Sequence, residues 1–168
     1  MNTRWLTPEQ QRVWRDYLQV ARLLPAQLGR ELPGLSIPEY EVLVHLSEAP
    51  CGRLRPFQLA EATHWEQSRL SHQLTRMQRR GLIAREECEK DARGAFVVLT
   101  DAGRNAIESA APVHAAGVLR LVFDQLSDEE LAAFGQACAK IRQALEALPL
   151  KTDLPYPAPP CPDSCPDA

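Results

Sequence analysis

The sequence lacks a run of apolar residues long enough to cross a membrane. Its 168 residues are 45% hydrophobic and 24% charged, an ordinary globular balance that can fill a core. No stretch approaches the roughly 18 consecutive apolar residues that suggest a membrane helix, and the N-terminal residues show no apolar signal region. The length suits one domain. We therefore expect a cytoplasmic protein with no membrane partner.

Motifs of catalysis and metal binding are also missing. There is no Gly-rich phosphate loop, no nucleophile elbow and no histidine pair at metal-ligand spacing. Cys161 and Cys165 make one ligand pair without a second pair. The four histidines are scattered along the chain: His45, His64, His72 and His114. We expect no enzyme activity, no metal site and no cofactor.

Charge is unevenly distributed along the chain. The net charge is −3, yet the segment from Pro50 to Arg85 contains seven arginines and two glutamates. This segment carries +5 and the rest of the chain carries −8. A basic lobe on an acidic body is typical of a protein that meets nucleic acid with one face only.

Two helices joined by a tight turn are predicted inside this basic segment. The first runs from Pro56 to Ala62, and His64 occupies the turn, since histidine enters the left-handed region more readily than most non-glycine residues. The second runs from Glu66 to Arg80, with apolar residues at i, i+4 and i+7 on one face. The opposite face carries hydrogen-bonding or positive side chains: Ser68, Ser71, His72, Thr75, Arg76 and Arg79. Such a helix can pack on one side and read base edges with the other. A merely solvated surface is the alternative.

A hairpin is predicted directly after the second helix. Gly81 is a candidate C-cap, a strand covers Leu82 to Glu86, and Ala95 to Leu99 returns as its partner after a tip at 87–94. Residues 53–55 are expected to add a short third strand. A helix-turn-helix followed by a hairpin is a winged helix, which binds DNA or, as an alternative, protein.

Several short motifs occur in this order: Leu59-Ala60, Ser68 to Ser71, Leu74, Gly81 to Ile83, Arg85, Asp91 to Gly94, Leu99-Thr100 and Gly103. Together they resemble the MarR family of transcription regulators, over about residues 8–148. The Asp-x-Arg-Gly wing motif is the most specific part. The resemblance implies a winged-helix homodimer that binds a pseudo-palindromic operator, and a repressor that responds to a small-molecule effector.

Two groups of residues are expected to contact double-stranded DNA. The second helix of the motif should enter the major groove, and the resemblance puts Arg93 of the wing in the minor groove. Asp91 is expected to brace a guanidinium, that of Arg93, Arg79 or Arg80. The predicted DNA-binding residues are Gln67, Ser68, Arg69, Ser71, His72, Arg76, Lys90 and Arg93.

Four further helices are predicted around this lobe. Capping boxes start helices after Thr7, Ser36 and Ser127, and Thr100 caps another. Pro25 is expected to bend or break the first helix, and Pro112 to kink the helix after Thr100. Apolar stripes on the first and last helices make these dimer candidates: Val13, Tyr17, Leu131, Phe134, Cys138, Ile141 and Leu145.

Effector binding is expected between these helices and the DNA-binding lobe, as the resemblance implies. Aromatic side chains with polar tips suit such a site. The candidates are Trp14, Tyr17, Tyr40, His45 and His114.

The five cysteines are scattered and odd in number, which argues against a disulfide framework. Cys138 lies on an apolar helical stripe and is expected in the core. Cys51 and Cys88 lie in predicted loops, where redox sensing is an alternative function, since a reactive thiol needs exposure and a lowered pKa.

The predicted fold class is mainly α with a small antiparallel β-wing. Residues 1–148 should form a MarR-like winged-helix domain, with a DNA-binding lobe at about 53–99 and dimerisation helices at 7–32 and 100–148. Residues 149–168 include seven prolines and are expected to be disordered.

Overall fold

A computed structural model describes residues 5–88 and 91–148, although it leaves the side chains of 87, 88 and 91–94 undescribed. Contacts divide the chain into two compact units, Met1–Leu121 and Val122–Ala168. The first unit holds five helices and three strands, and the described part of the second holds one helix after a 3₁₀ turn. The elements are α1 (Pro8–Glu31), α2 (Ile37–Glu48), β1 (Arg53–Leu54), α3 (Pro56–Thr63), α4 (Gln67–Arg79), β2 (Ile83–Cys88), β3 (Asp91–Leu99), α5 (Asp101–Leu121) and α6 (Asp128–Glu146).

The predicted fold class is confirmed. The three strands form an antiparallel sheet in the order β1-β3-β2, so the predicted third strand pairs at its edge, with Arg53 opposite Val98. The two long strands reach further than predicted, to Cys88 and from Asp91. The predicted tip at 87–94 was therefore too long, because pairing between the strands continues where the sequence has turned polar.

The core of the first unit lies between α2, the helix pair α3 and α4, the sheet and α5. Its largest fully buried side chains are Leu43, Leu46, Leu59, Leu70, Leu74, Met77, Ile83, Val42 and Val97. The start of α5 comes close to the end of the helix pair. A Cβ on Gly103 would stand 2.0 Å from the carbonyl oxygen of Leu82, so only glycine permits this approach.

Local capping signals set the helix starts as predicted. Thr7 and Ser127 accept hydrogen bonds from the backbone N–H groups of Gln10 and Glu130, respectively. In return, the side-chain oxygens of Gln10 and Glu130 accept from the backbone N–H groups of Thr7 and Ser127. Thr100 accepts from the Gly103 N–H at 3.0 Å. Gly81 follows the end of α4 with φ of 72°, which suits its predicted role after the helix.

Two expectations about the helices need correction. The expected break at Pro25 does not occur, and α1 continues to Glu31, because the last turn is held by packing of Leu28 and Leu32. Cys138 is exposed, since no residue of α6 is buried in the single chain.

The cysteines near the basic lobe also differ from expectation. Cys51 lies in a 3₁₀ turn with φ of 57° and is disulfide-bonded, which the scattered spacing did not predict. Cys88 ends β2 and does not lie in a loop. The redox alternative would thus begin from a disulfide at Cys51 and not from a free thiol.

One stretch of the described chain, Asp101–Gln125, is long and apolar enough to cross a membrane by length and composition alone. Most of it is α5, which packs against α1 and α2. Ile107 and Ala110 of α5 are buried in the core. One face of α5 therefore contributes to the core of the folded unit.

An ion pair between a buried carboxylate and an exposed guanidinium joins the start of α2 to the end of α4. Glu39 is 3% exposed, and one of its oxygens accepts from the Arg80 guanidinium at 2.6 Å. The other oxygen accepts from the N–H and hydroxyl of Ser36 at 2.9 and 2.8 Å. A second nitrogen of Arg80 donates to the Gly34 carbonyl at 2.7 Å. The carboxylate thereby accepts three hydrogen bonds, one on one oxygen and two on the other.

Burial and hydrogen bonding act in opposite directions on this carboxyl. Burial alone would raise the pKa of Glu39, but the bonds from the Ser36 N–H, Arg80 and the Ser36 hydroxyl outweigh it and lower the pKa. The native state therefore releases this proton more readily than the unfolded chain. The pair contributes stability above the unfolded pKa and loses it as the pH falls through the native value.

Glu39→Gln should lower the free energy of unfolding by about 1–3 kcal/mol at pH 7, because Arg80 loses its charged partner. The deficit relative to the wild type should be constant above pH of about 5 and shrink below the usual glutamate pKa near 4.3. Denaturant melts across that range measure it. Glu41→Gln on the same helix is the control and should change little. Equal stability of Glu39→Gln and wild type at pH 7 would contradict the assignment.

Candidate nucleic-acid interface

The helix α4 divides cleanly into a buried and an exposed face. Leu70, Leu74 and Met77 are at most 1% exposed, and Gln73 is buried beside them. The apolar spacing predicted this face, although not Gln73, whose side-chain nitrogen has no hydrogen-bond partner in the described structure. All six α4 residues predicted to meet DNA are exposed: Gln67, Ser68, Arg69, Ser71, His72 and Arg76.

The turn between α3 and α4 has the predicted form. His64 adopts the left-handed conformation, with φ of 53° and ψ of 31°. The next residue, Trp65, packs against the core, and the Arg69 guanidinium lies 4.3 Å from its ring centre. A cation over an indole is held by about 0.5–1 kcal/mol at an exposed site. Arg69 is therefore positioned before any ligand arrives.

Trp65 was not among the predicted site residues. Its signal was present in the sequence, because an aromatic residue four positions before an arginine can meet it across one helical turn. The start of the helix at Gln67 leaves Trp65 just outside α4. Because Trp65 lies outside the helix, helical periodicity alone did not identify its contact with Arg69.

A cleft of about 480 Å³ separates α4 from the sheet. Gln67, Ser68, Ser71 and Arg85 supply its polar lining. The remaining lining residues are apolar: Pro56, Leu70, Leu74, Ala95, Phe96 and Val97. None of these lining residues is acidic, so the cleft suits a polyanion more than a cation.

The wing candidates fall largely outside the described structure. Lys90 is not among the described residues, and neither are the side chains of Asp91 and Arg93. The backbone places Asp91 at the start of β3, opposite Cys88. Their roles in DNA binding and bracing stay predictions. Arg80, one of the guanidiniums that Asp91 was expected to brace, is held instead by Glu39 and the Gly34 carbonyl.

The five effector candidates form two stacked pairs and a single residue. Trp14 and Tyr17 stack on α1 with ring centres 5.4 Å apart, and both are more than half exposed. Tyr40 of α2 stacks on His114 of α5 at 4.4 Å. His45 is half-buried on α2. The structure thus brings Tyr40 and His114 together across two helices.

Burial changes the proton affinities of the second pair. It lowers the pKa of His114, so the imidazole is neutral at neutral pH. Burial, with a smaller contribution from the charge of Glu48, raises the pKa of Tyr40. The pair therefore presents uncharged rings with polar tips.

Comparison with known proteins extends this picture. A sequence profile of the MarR family matches residues 34–94, which run from the start of α2 into the wing. AbsC, a MarR family transcriptional regulator from Streptomyces coelicolor, is 44% identical; the match covers 87% of this chain and 100% of AbsC, with a TM-score of 0.80. This chain belongs to the MarR family of transcriptional regulators.

Two further comparisons agree. Sco3205, a MarR family regulator from Streptomyces coelicolor whose structure is a complex with DNA, is 39% identical over 92% of this chain and 98% of its own, with a TM-score of 0.82. The transcriptional regulator HosA from Escherichia coli O111:H- is 33% identical over 119 residues, which are 71% of this chain and 86% of HosA. The protein is thus a DNA-binding transcriptional regulator with a winged helix, and its family consists of regulators and not of enzymes.

Arg76→Ala should weaken binding to DNA from the protein's own upstream region by roughly one to two orders of magnitude. An arginine bound to guanine through two hydrogen bonds is worth about 1–3 kcal/mol, which corresponds to that range of affinity. Gel-shift titration measures the loss, with Arg30→Ala on α1 as a control of equal charge change. Wild-type affinity in Arg76→Ala would remove this residue from the interface.

Proposed function

We propose that the protein is a repressor that binds a pseudo-palindromic operator as a homodimer and responds to a small-molecule effector. The observation that carries the dimer is the exposure of α6. No residue of α6 is buried in the single chain, although its stripe includes Phe134, 49% exposed, and Ile141, 61% exposed. Monomeric soluble proteins rarely leave so continuous an apolar surface open to water.

The helix α1 shows the same pattern by itself. From Pro8 to its middle it is almost wholly exposed, and Val13, Tyr17 and Val20 are each about 60% exposed. These are residues that a second copy of the chain would cover. A two-fold axis would make the interface self-complementary.

Two-fold symmetry has a direct consequence on the DNA. Two identical lobes need half-sites about 10 bp apart, or a multiple of it, so that both α4 helices enter major grooves on one side of the duplex. A footprint on the upstream region of the gene tests the proposal. Two protected half-sites related by inverted symmetry support it, and a single unsymmetrical site would oppose it.

We further propose a division of labour within residues 1–148. The segment at about 53–99 meets DNA, while α1 and the helices of 100–148 supply the dimer interface. A regulator that works on DNA in this way is expected in the cytoplasm.

Ile141→Glu should give a monomer and remove operator binding. The charge would be buried in the proposed interface without a partner, at a cost of several kcal/mol. Light scattering at micromolar concentration measures the mass, and gel shift measures the binding. Glu146→Gln on the same helix is the control and should remain dimeric. A wild type that is monomeric at this concentration would refute the dimer.

The effector site is proposed at Tyr40 and His114. Their stack spans α2 and α5, and a planar aromatic compound could take the place of one ring against the other. The neutral state of His114 favours a hydrogen-bonded ligand over one held by charge. The pair Trp14 and Tyr17 is more exposed and offers less apolar enclosure.

Tyr40→Leu and His114→Leu should each raise the effector concentration for half-release of operator DNA at least about tenfold, the effect of losing about 1.4 kcal/mol of contact. Small phenols and aromatic acids that release DNA from the wild type are the probes. Trp14→Leu is the matched control and should respond like the wild type. Equal potency in all four proteins would place the effector elsewhere.

A further inference from the structure

Two arginines share one aromatic ring on the edge of the sheet. The guanidinium carbon of Arg55 lies 4.1 Å from the ring centre of Phe96, and that of Arg53 lies 4.9 Å from it. Both distances are within the reach of cation–π attraction, which is about 6 Å. From the sequence, these arginines were expected only to add to the positive charge of the lobe and to form part of a short third strand.

The register of the sheet explains why they meet. Leu54 of β1 pairs with Val97 of β3, and Val97 is fully buried. Side chains alternate between the two faces of a strand. Arg53 and Phe96 therefore lie on the opposite face from Val97, and Arg55 follows Leu54 onto that same face at the start of α3.

This cluster carries two positive charges that nothing in the described structure neutralises. The described ion pairs join Arg80 to Glu39, Arg120 to Glu31 and Arg142 to Glu146. Within the part of the chain whose side chains are described, no carboxylate is paired with Arg53 or Arg55. The ring offsets only part of the repulsion between two like charges, at about 0.5–1 kcal/mol for each exposed contact.

The position of the cluster indicates which anion would complete it. Phe96 also lines the cleft between α4 and the sheet. When α4 lies in a major groove and the wing in the neighbouring minor groove, one sugar-phosphate strand has to pass between them. The strand in the cleft would run past Phe96. In addition, Arg55 is the N-cap of α3, where free backbone N–H groups favour a negative group.

We propose that Arg53 and Arg55, held on the ring of Phe96, form a phosphate-binding site for the DNA strand that crosses the cleft between α4 and the sheet. The proposal rests on the DNA-binding mode proposed above. The site binds the sugar-phosphate backbone of the DNA and does not distinguish bases, because guanidinium contacts to phosphate carry no sequence information. The ring fixes both side chains beforehand, so less side-chain entropy is lost when the phosphates bind.

The test is the salt dependence of DNA binding by a variant in which both arginines are replaced by uncharged glutamine. Arg53→Gln with Arg55→Gln keeps the backbone bond from the Arg55 N–H to the Gln58 side chain, 2.8 Å long, and so preserves the start of α3. Affinity should fall roughly tenfold or more at about 0.1 M salt, equally for operator and random duplex. The slope of log affinity against log salt should flatten by about 2 per bound chain, since each lost phosphate contact contributes about 0.9.

Arg15→Gln with Arg22→Gln is the matched control, because both arginines are exposed on the face of α1 opposite Val13, Tyr17 and Val20 and the net charge changes equally. Its slope should stay near that of the wild type. Thermal melts by circular dichroism should show that both double variants are folded. A control slope that flattens as much as the test slope would mean that only net charge acts, and would overturn the site.

The ring has its own test. Phe96→Leu removes the ring and neither charge, so affinity should fall by a smaller factor at constant slope, and Phe96→Tyr should recover most of that loss. Wild-type binding by Phe96→Leu would overturn the role of the ring.

The remaining outcomes separate this site from the wider proposal. Unchanged affinity and unchanged slope in the Arg53→Gln, Arg55→Gln variant would overturn the phosphate site. The two arginines would then be better explained as a contact for an acidic protein partner. Loss of operator binding alone, with random duplex unaffected, would also overturn it, because that is the behaviour of a base contact. Two results together would refute the operator proposal and support this one. The wild type would show no symmetric footprint, and the salt slope would flatten when Arg53 and Arg55 are replaced.

Discussion

The ion pair between buried Glu39 and exposed Arg80 fixes α4 in the domain. Arg80 immediately follows the last residue of α4, and Glu39 lies in the first turn of α2. A carboxylate that is removed from water costs several kcal/mol unless it is paired and hydrogen-bonded, so other arrangements of these two helices carry that cost. The exposed face of α4 is thereby oriented by a contact between protein side chains at the end of the helix.

Features that depend on neighbours within one turn were predictable from the sequence. The stripe of Leu70, Leu74 and Met77 follows helical periodicity, and the capping boxes use residues three positions apart. The left-handed conformation of His64 was predictable because histidine is one of the few non-glycine residues that adopt it readily. These local rules were sufficient for the winged-helix fold and for the exposed face of α4.

The contacts that the sequence did not reveal join distant residues or depend on burial. Arg80 and Glu39 are 41 positions apart, and the stack of Arg55 on Phe96 needs the register of a sheet. Helical packing at Leu28 and Leu32 overrides the breaking tendency of Pro25. Cys138 was expected to be buried because it lies on an apolar stripe. Such a stripe predicts burial but does not identify the surface that covers it. In the single chain that stripe is open, and the proposed second copy would cover it.

Adjacent residues of α2 connect the two proposed sites. Glu39 holds Arg80 at the end of α4, and the next residue, Tyr40, stacks on His114 of α5. An effector can shift DNA binding only if its affinity differs between two arrangements of the lobe. A compound that takes the place of one of these two rings would change the packing of α2 against α5 at the same turn that anchors α4. Because Glu39 is buried and accepts a hydrogen bond from Arg80, a displacement of that turn either carries α4 with it or breaks the ion pair. We infer that carrying α4 costs less, so that a ligand in the helical region can move the DNA-reading face without touching it.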